Sequence, residues 1–299
     1  MTHVATLIAH PVQPMRDDVG QQAARNLPAA GAPAWLDPGL AVDIPFTPAG
    51  ENDNRMMAES LRAALGGEPV DVVVQQAEGR RKRMLLADMD STMIGQECVD
   101  ELADFIGQKA RVAAITERAM RGEIEFAPAL RERVALLAGL PASVVDEVIA
   151  KRITFTPGGR TLVRTMRHHG AHTCLVSGGF TVFTTRLAAL IGFDENRGNR
   201  LIVGDDGRFS GTVVEPVLGR DAKLKTLKEL RTRLGLAQNE TLVVGDGAND
   251  LLMIGDAGLG VAFRAKPLVA KAAAARIDHG DLTALLYAQG YRREEFVER

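Results

Sequence analysis

The sequence predicts an α/β protein: a parallel sheet covered on both faces, a helical insertion after the first core strand, and a small α+β unit ahead of it. Three observations carry this. Short, continuous apolar runs that end in Gly, Asp or Ser clusters recur as RMLLADMDST, HTCLVSGGF and TLVVGDGAND. Helical segments such as GGRTLVRTMRHHG and AKLKTLKELRTRLGL separate the later runs. Strands that are apolar on both faces and alternate with helices build parallel sheets. Between residues 94 and 155 the alternation stops, and only helical spacing is found.

Along the chain, residues 1–80 read as strand, helix, strand, helix, strand. The segments are VATLIAH, MRDDVGQQAARNL, LAVDIPF, NRMMAESLRAALGG and VDVVVQQ, with loops around Pro28, Pro33 and Pro38. No catalytic constellation appears there. The basic run Arg80 to Arg83 reads as a solvated lead-in to the next strand. The core is expected over 81–93 and 156–299, with GLGVAF as a fourth, shorter strand. The insertion, 94–155, carries ECVDELADFIG, KARVAAITERAMRG, EFAPALRERVALLAGL and PASVVDEVIAKR, with apolar stripes at Leu102, Phe105, Ile106, Val134, Leu136 and Leu137. In RLIVGDDGRFSGTVVEP two strand-like runs flank a DDG turn, which signals a hairpin.

Composition narrows the function. Of 299 residues, 46% are hydrophobic and 25% charged, the ordinary globular mix, and the net charge of −2 favours neither nucleic acid nor a membrane surface. The two cysteines, Cys98 and Cys174, form no disulfide framework or CxxC site. No apolar stretch reaches the ~18 residues of a membrane span, and the N-terminus lacks a secretory pattern. A soluble, cytoplasmic setting is the expectation.

In open parallel sheets ligands bind beyond the carboxyl ends of the strands. DMDST, SGG and GDGAND sit at those ends, so they should converge on one crevice. Asp88, Asp90, Asp246 and Asp250 would repel one another there unless a cation lies among them. Hard oxygen ligands without thiolate or imidazole suit Mg²⁺ and argue against zinc. Ser177-Gly178-Gly179 is expected to end its strand and open a helix as an anion cradle. Lys223, at the start of the helix before GDGAND, is placed to reach the same crevice as a point charge. Gly245 and Gly247 permit tight backbone around Asp246, and Asn249 adds a polar group. A P-loop, an EF-hand, a dinucleotide-binding GxGxxG and a nucleophile with a histidine partner all fail on detail.

DMDST, SGG, a downstream lysine and GDGAND together resemble the four motifs of the haloacid dehalogenase superfamily of phosphatases. RMLLADMDSTMIGQECVDELADFIG, RERVALLAGL and LVSGGFTVFTTRLAALIGFD resemble its phosphoserine phosphatase branch, over about residues 83–290. The resemblance implies a Rossmann-like core with a helical cap, and an N-terminal unit similar to ACT-like ligand-binding domains. It implies Asp88 as nucleophile and Asp90 as general acid and then base. It implies Mg²⁺ held by Asp88, the Asp90 backbone carbonyl and Asp246. Ser177, the Gly178 N–H and Lys223 would bind the phosphoryl group, with Asn249 and Asp250 supporting the metal shell and Lys223.

For the substrate, the resemblance matches Glu97 to the residue facing an amino group and Arg133 to the one gripping a carboxylate. Met120 and Phe126 match apolar positions that close over the substrate. Taken singly, each reads first as a solvated or core side chain, and it is the four together at these separations that carry the match. The implied reaction is hydrolysis of phosphoserine, the last step of serine biosynthesis. The implied partners are the small-molecule substrate and no nucleic acid or membrane, with a homodimer left open. Two other readings stand beside it. One is a phosphatase or phosphotransferase of the same superfamily acting on another small ester. The other is a receiver-type phospho-switch, disfavoured by Asp90 and by the long insertion.

Overall fold

The computed structural model describes residues 1–50, 53–120 and 123–298, without the side chains of Ala119 and Met120. It divides into two compact units. One comprises Met1–Leu86, Thr156–Thr173 and Leu227–Arg299; the other comprises Ala87–Phe155 and Cys174–Thr226.

The first unit opens with β1 (His3–Ala9), α1 (Val19–Arg25), β2 (Ala34–Asp37), β3 (Ala41–Phe46), α2 (Asn54–Ala64) and β4 (Val70–Gln76). Their sheet has the order β2-β3-β1-β4 and is antiparallel, the split β-α-β arrangement of ferredoxin-like units. Leu7, Val42, Ile44, Phe46, Val72 and Val74 form its core with Val19 and Ala23 of α1 and Ala58 and Leu61 of α2. Burying each of the larger of these side chains, Val, Leu, Ile or Phe, contributes about 1.5–3 kcal/mol. Helix α2 starts where the Asp53 carboxylate accepts N–H bonds from Arg55 and Met56. The sequence reading lacked β2. Its four residues lie between Pro33 and Pro38 at the sheet edge, where missing N–H donors are tolerated. Asp71, 1% exposed, accepts backbone N–H bonds from Asp278, His279 and Gly280.

The basic run is not solvated as a whole. Arg80 pairs with Asp43, Arg81 with Glu295 and Arg83 with Glu240, while buried Lys82 donates to the Gly79 and Asn239 carbonyls. A basic tract finds its carboxylate and carbonyl partners mostly in segments distant in sequence.

The six-stranded sheet contains β5 (Met84–Asp88), β6 (His172–Phe180), β7 (Glu195–Asn199), β10 (Thr241–Gly245), β11 (Leu259–Phe263) and β12 (Ala275–Ile277), in the order β12-β11-β10-β5-β6-β7. The four apolar runs read from sequence are its four inner strands. The edge strands β7 (ENRGN) and β12 (ARI) were not legible, the first polar and the second three residues long. The hairpin is β8 (Leu201–Val203) against β9 (Phe209–Val213), with Gly207 at φ +74° in its turn.

The cap holds the four helices expected: α3 (Cys98–Phe105), α4 (Lys109–Met120), α5 (Phe126–Ala135) and α6 (Val144–Lys151). Leu102, Val134 and Leu137 are buried, but Phe105 is 39% exposed beneath Arg152, so that stripe turns outward at its end. Helices α7 (Gly159–His168), α8 (Thr181–Ile191), α9 (Arg220–Arg233), α10 (Leu251–Asp256), α11 (Pro267–Ala272) and α12 (Ala284–Ala288) complete the chain. No helix among the described residues is long and apolar enough to cross a membrane.

Candidate active site

Strand β5 delivers Asp88 at its last residue, and the chain then leaves the sheet in a tight turn. Asp90 is extended, whereas Ser91 takes φ +54°, a left-handed value that costs a non-glycine residue about 1–3 kcal/mol. The Ile94 N–H closes the turn on the Met89 carbonyl, and the Ser91 hydroxyl donates to Glu97 Oε1 at 2.7 Å. Behind it the segments into and out of the cap are laced together. The Gly95 N–H donates to the Thr154 carbonyl, and the Gln96 amide bonds both Thr154 N–H and Oγ1. Sequence reasoning singled out neither Ser91 nor this lacing, because a left-handed serine has no sequence signature.

Asp88 and Asp90 face different partners. Lys223, on the first turn of α9, sets its Nζ 2.7 Å from Asp88 Oδ1, and the two side chains are 2% and 6% exposed. Asp90 Oδ1 accepts the Cys98 N–H at 3.1 Å, and its Oδ2 lies 3.4 Å from the Ser177 hydroxyl. Burial, and after it the neighbouring Glu97 carboxylate, push the Asp90 carboxyl up to about 7. A carboxyl poised there can hold a proton and give it away near neutral pH.

Ser177 sits on β6, which runs on to Phe180, so α8 begins at Thr181 rather than at the SGG stretch. The stretch expected to form an anion cradle is therefore a strand end, not a helix N-terminus. Within it the Gly179 N–H donates to Ser177 Oγ at 2.8 Å. Phe126, the first residue of α5, lies over the cradle. A Cβ added at Gly178 would stand 3.3 Å from Phe126 Cζ, and one at Gly219 3.3 Å from its Cδ1. The ring thus rests close on two glycine backbones, where an added methyl would make it give by a few tenths of an ångström.

At the end of β10 the chain carries Asp246 and Asp250, carboxylates that with Asp88 offer the oxygen donors a metal ion takes. The glycines in GDGAND are explained by crowding. A Cβ at Gly245 would fall 2.3 Å from Asp250 Oδ2, and one at Gly247 2.3 Å from Asn249 Oδ1. Asp250 Oδ2 also accepts the Gly247 N–H. Asp88, Asp246 and Asp250 offer a metal ion carboxylate oxygens, with no thiolate or imidazole among them. The donors are all hard oxygens, which fits Mg²⁺.

In the cap, Arg133 is half-buried on α5. Its Nε donates to the Ala129 carbonyl and its Nη1 lies 3.5 Å from Thr116 Oγ1. Burial lowers its pKa, opposed by the carboxylates of Asp100, Glu97 and Asp90, so the guanidinium stands in the field of Asp90 and of Glu97, the acid that also raises Asp90. Glu97 is exposed at the N-terminus of α3. The Met120 side chain lies outside the described residues.

One buried residue that the sequence did not flag joins this group. Asn199, 2% exposed at the end of β7, donates to the carbonyls of Gly178 (2.8 Å) and Leu218 (3.0 Å) and accepts the Leu218 N–H at 2.7 Å.

Residues 85–254 match the profile of the haloacid dehalogenase-like hydrolases. The chain is 43% identical to a phosphoserine phosphatase of Mycobacterium tuberculosis over 238 residues, which cover 79% of this chain and 58% of that protein. It is 45% identical to a phosphoserine phosphatase of a Polaromonas species over 209 residues, covering 68% of this chain and 88% of the relative. A crystal structure of a HAD family hydrolase from Salmonella enterica serovar Typhi matches with a TM-score of 0.83 at 26% identity, covering 96% of this chain and 98% of that one. The chain spans less than two thirds of the length of the M. tuberculosis relative. The matched profile takes in the turn after β5, the cradle on β6, Lys223 and the carboxylates after β10, and so the chain belongs to the haloacid dehalogenase-like hydrolases.

Proposed function

We propose that this chain hydrolyses O-phospho-L-serine to L-serine and inorganic phosphate, with Mg²⁺, through a phosphoryl group carried on Asp88. The observation that carries the proposal is the buried pairing of Asp88, the last residue of β5, with Lys223 on the first turn of α9. The catalytic core would be 81–93 and 156–299, the cap 94–155, and residues 1–80 a separate α+β domain of ACT-like type.

An Asp88 oxygen attacks phosphorus and the bond to the serine oxygen breaks. Asp90 gives its proton to that oxygen. Its raised pKa supports this role, since an ordinary aspartic acid would already be ionised. Serine leaves, Asp90 takes a proton from water, and the hydroxide releases phosphate from Asp88. Splitting one displacement into two lets a single acid–base group serve both. Ser177, the Gly178 N–H and Lys223 hold the phosphoryl oxygens. Asp88, the Asp90 carbonyl and Asp246 would hold Mg²⁺, beside Asp250 and Asn249, and the bound ion would neutralise charge on the phosphoryl oxygens.

Glu97 would face the substrate ammonium and Arg133 its carboxylate, and Phe126 with Met120 would close over the serine portion. Relatives whose printed names are phosphoserine phosphatase support this choice of ester. The experiment is phosphate release from phosphoserine and a panel of small phosphate esters, with Mg²⁺ and with EDTA, in the presence and absence of homoserine. The expected result is Mg²⁺-dependent release that is fastest on phosphoserine. Phosphorylated homoserine with little free phosphate would instead assign a phosphotransferase.

A further inference from the structure

Three backbone atoms from two separate segments meet on one buried amide. The Asn199 side chain ties the Gly178 carbonyl to both the N–H and the carbonyl of Leu218. Gly178 belongs to the cradle on β6. Leu218 precedes Gly219, on which Phe126 rests, and lies two residues before α9, whose first turn carries Lys223. Both donor hydrogens and the acceptor oxygen of the amide are engaged, so it holds one orientation. Strand β7 is pressed close to make this reach: a Cβ at Gly198 would stand 3.2 Å from the Gly179 carbonyl oxygen.

We propose that Asn199 is a positioning residue that sets the spacing between the Ser177–Gly178 cradle and the Lys223 helix, and with it the floor under Phe126. It touches none of the reacting atoms and acts through the two backbones it joins. The inference rests on the proposed phosphoryl chemistry. Phosphoryl oxygens are bound from both segments at once, so their separation must be right to a fraction of an ångström. No other residue type offers two donors and one acceptor at this reach. Asp keeps the acceptor for Leu218 N–H but sets a carboxylate oxygen against the Gly178 and Leu218 carbonyls. Ala leaves all three backbone groups without the partner they have now.

The test is inhibition by inorganic phosphate, which reads the cradle without the serine portion. Asn199→Ala and Asn199→Asp are compared with the unaltered chain at a temperature where circular dichroism shows each folded. The expected result is at least a tenfold rise in the phosphate inhibition constant and a similar fall in kcat, with the Mg²⁺ midpoint within twofold. A lowered Tm with unchanged phosphate inhibition and kcat would overturn the proposal and leave Asn199 a fold-stabilising residue. Failure of both variants to fold even at low temperature would do the same. Absence of phosphate release by the unaltered chain would instead sink the underlying reaction, so the two failures are distinguishable.

Discussion

The Lys223 ammonium and the Asp88 carboxylate stand 2.7 Å apart with almost no exposure to solvent. Two charges are kept out of water by each other, and removing one strands the other at a cost of about 3–5 kcal/mol. Lys223→Met is therefore expected to lower Tm markedly in EDTA. The loss should shrink when Mg²⁺ is added, because the ion supplies the missing positive charge beside Asp88. Thermal melts of both proteins with and without Mg²⁺ check this; an equal Tm deficit in both conditions would contradict the shared charge balance.

Arg133 stands in the field of Asp100, Glu97 and Asp90. If its guanidinium receives the substrate carboxylate, Arg133→Ala should raise KM for phosphoserine by one to two powers of ten, from about 1.5–3 kcal/mol of charged hydrogen bonding. Phosphoethanolamine, which lacks the carboxylate, should lose much less. Steady-state kinetics on both esters decide it, and equal losses would make Arg133 a structural member of the cap.

Crowding around Asp250 gives a backbone test. Gly245→Ala would place a methyl 2.3 Å from Asp250 Oδ2, with the Asp250 Cβ only 2.8 Å away, so a rotamer change alone does not relieve it. The Asp250 carboxylate must move, and the Mg²⁺ concentration for half-maximal activity should rise at least tenfold. A normal Mg²⁺ titration would show that Asp250 tolerates displacement.

The inner strands and their polar ends were legible because a parallel strand is apolar on both faces, and its chemistry follows immediately in sequence. Asp88, Asp246 and Asp250 were singled out this way, and Lys223 from its place on the helix ahead of GDGAND. What stayed hidden depends on partners distant in sequence. Asn199 sits in a polar edge strand, and its partners lie 19 and 21 residues away. Strand β2 was masked by its flanking prolines. The run from Arg80 to Arg83 looked solvated, because Asp43, Glu240 and Glu295 reach it only through the fold. The SGG stretch was expected at a helix start but lies in the strand itself, since β6 stays extended to Phe180.

The central claim is that Asp88 carries the phosphoryl group during turnover. Its most direct measurement is acid quenching of the enzyme during turnover of phosphoserine with Mg²⁺, followed by reduction with borohydride and peptide mass mapping. The account predicts homoserine at position 88, formed where an aspartyl-phosphate was reduced, and its loss in Asp88→Asn. An unmodified Asp88 during full-rate turnover, or a phosphorylated residue elsewhere, would contradict it.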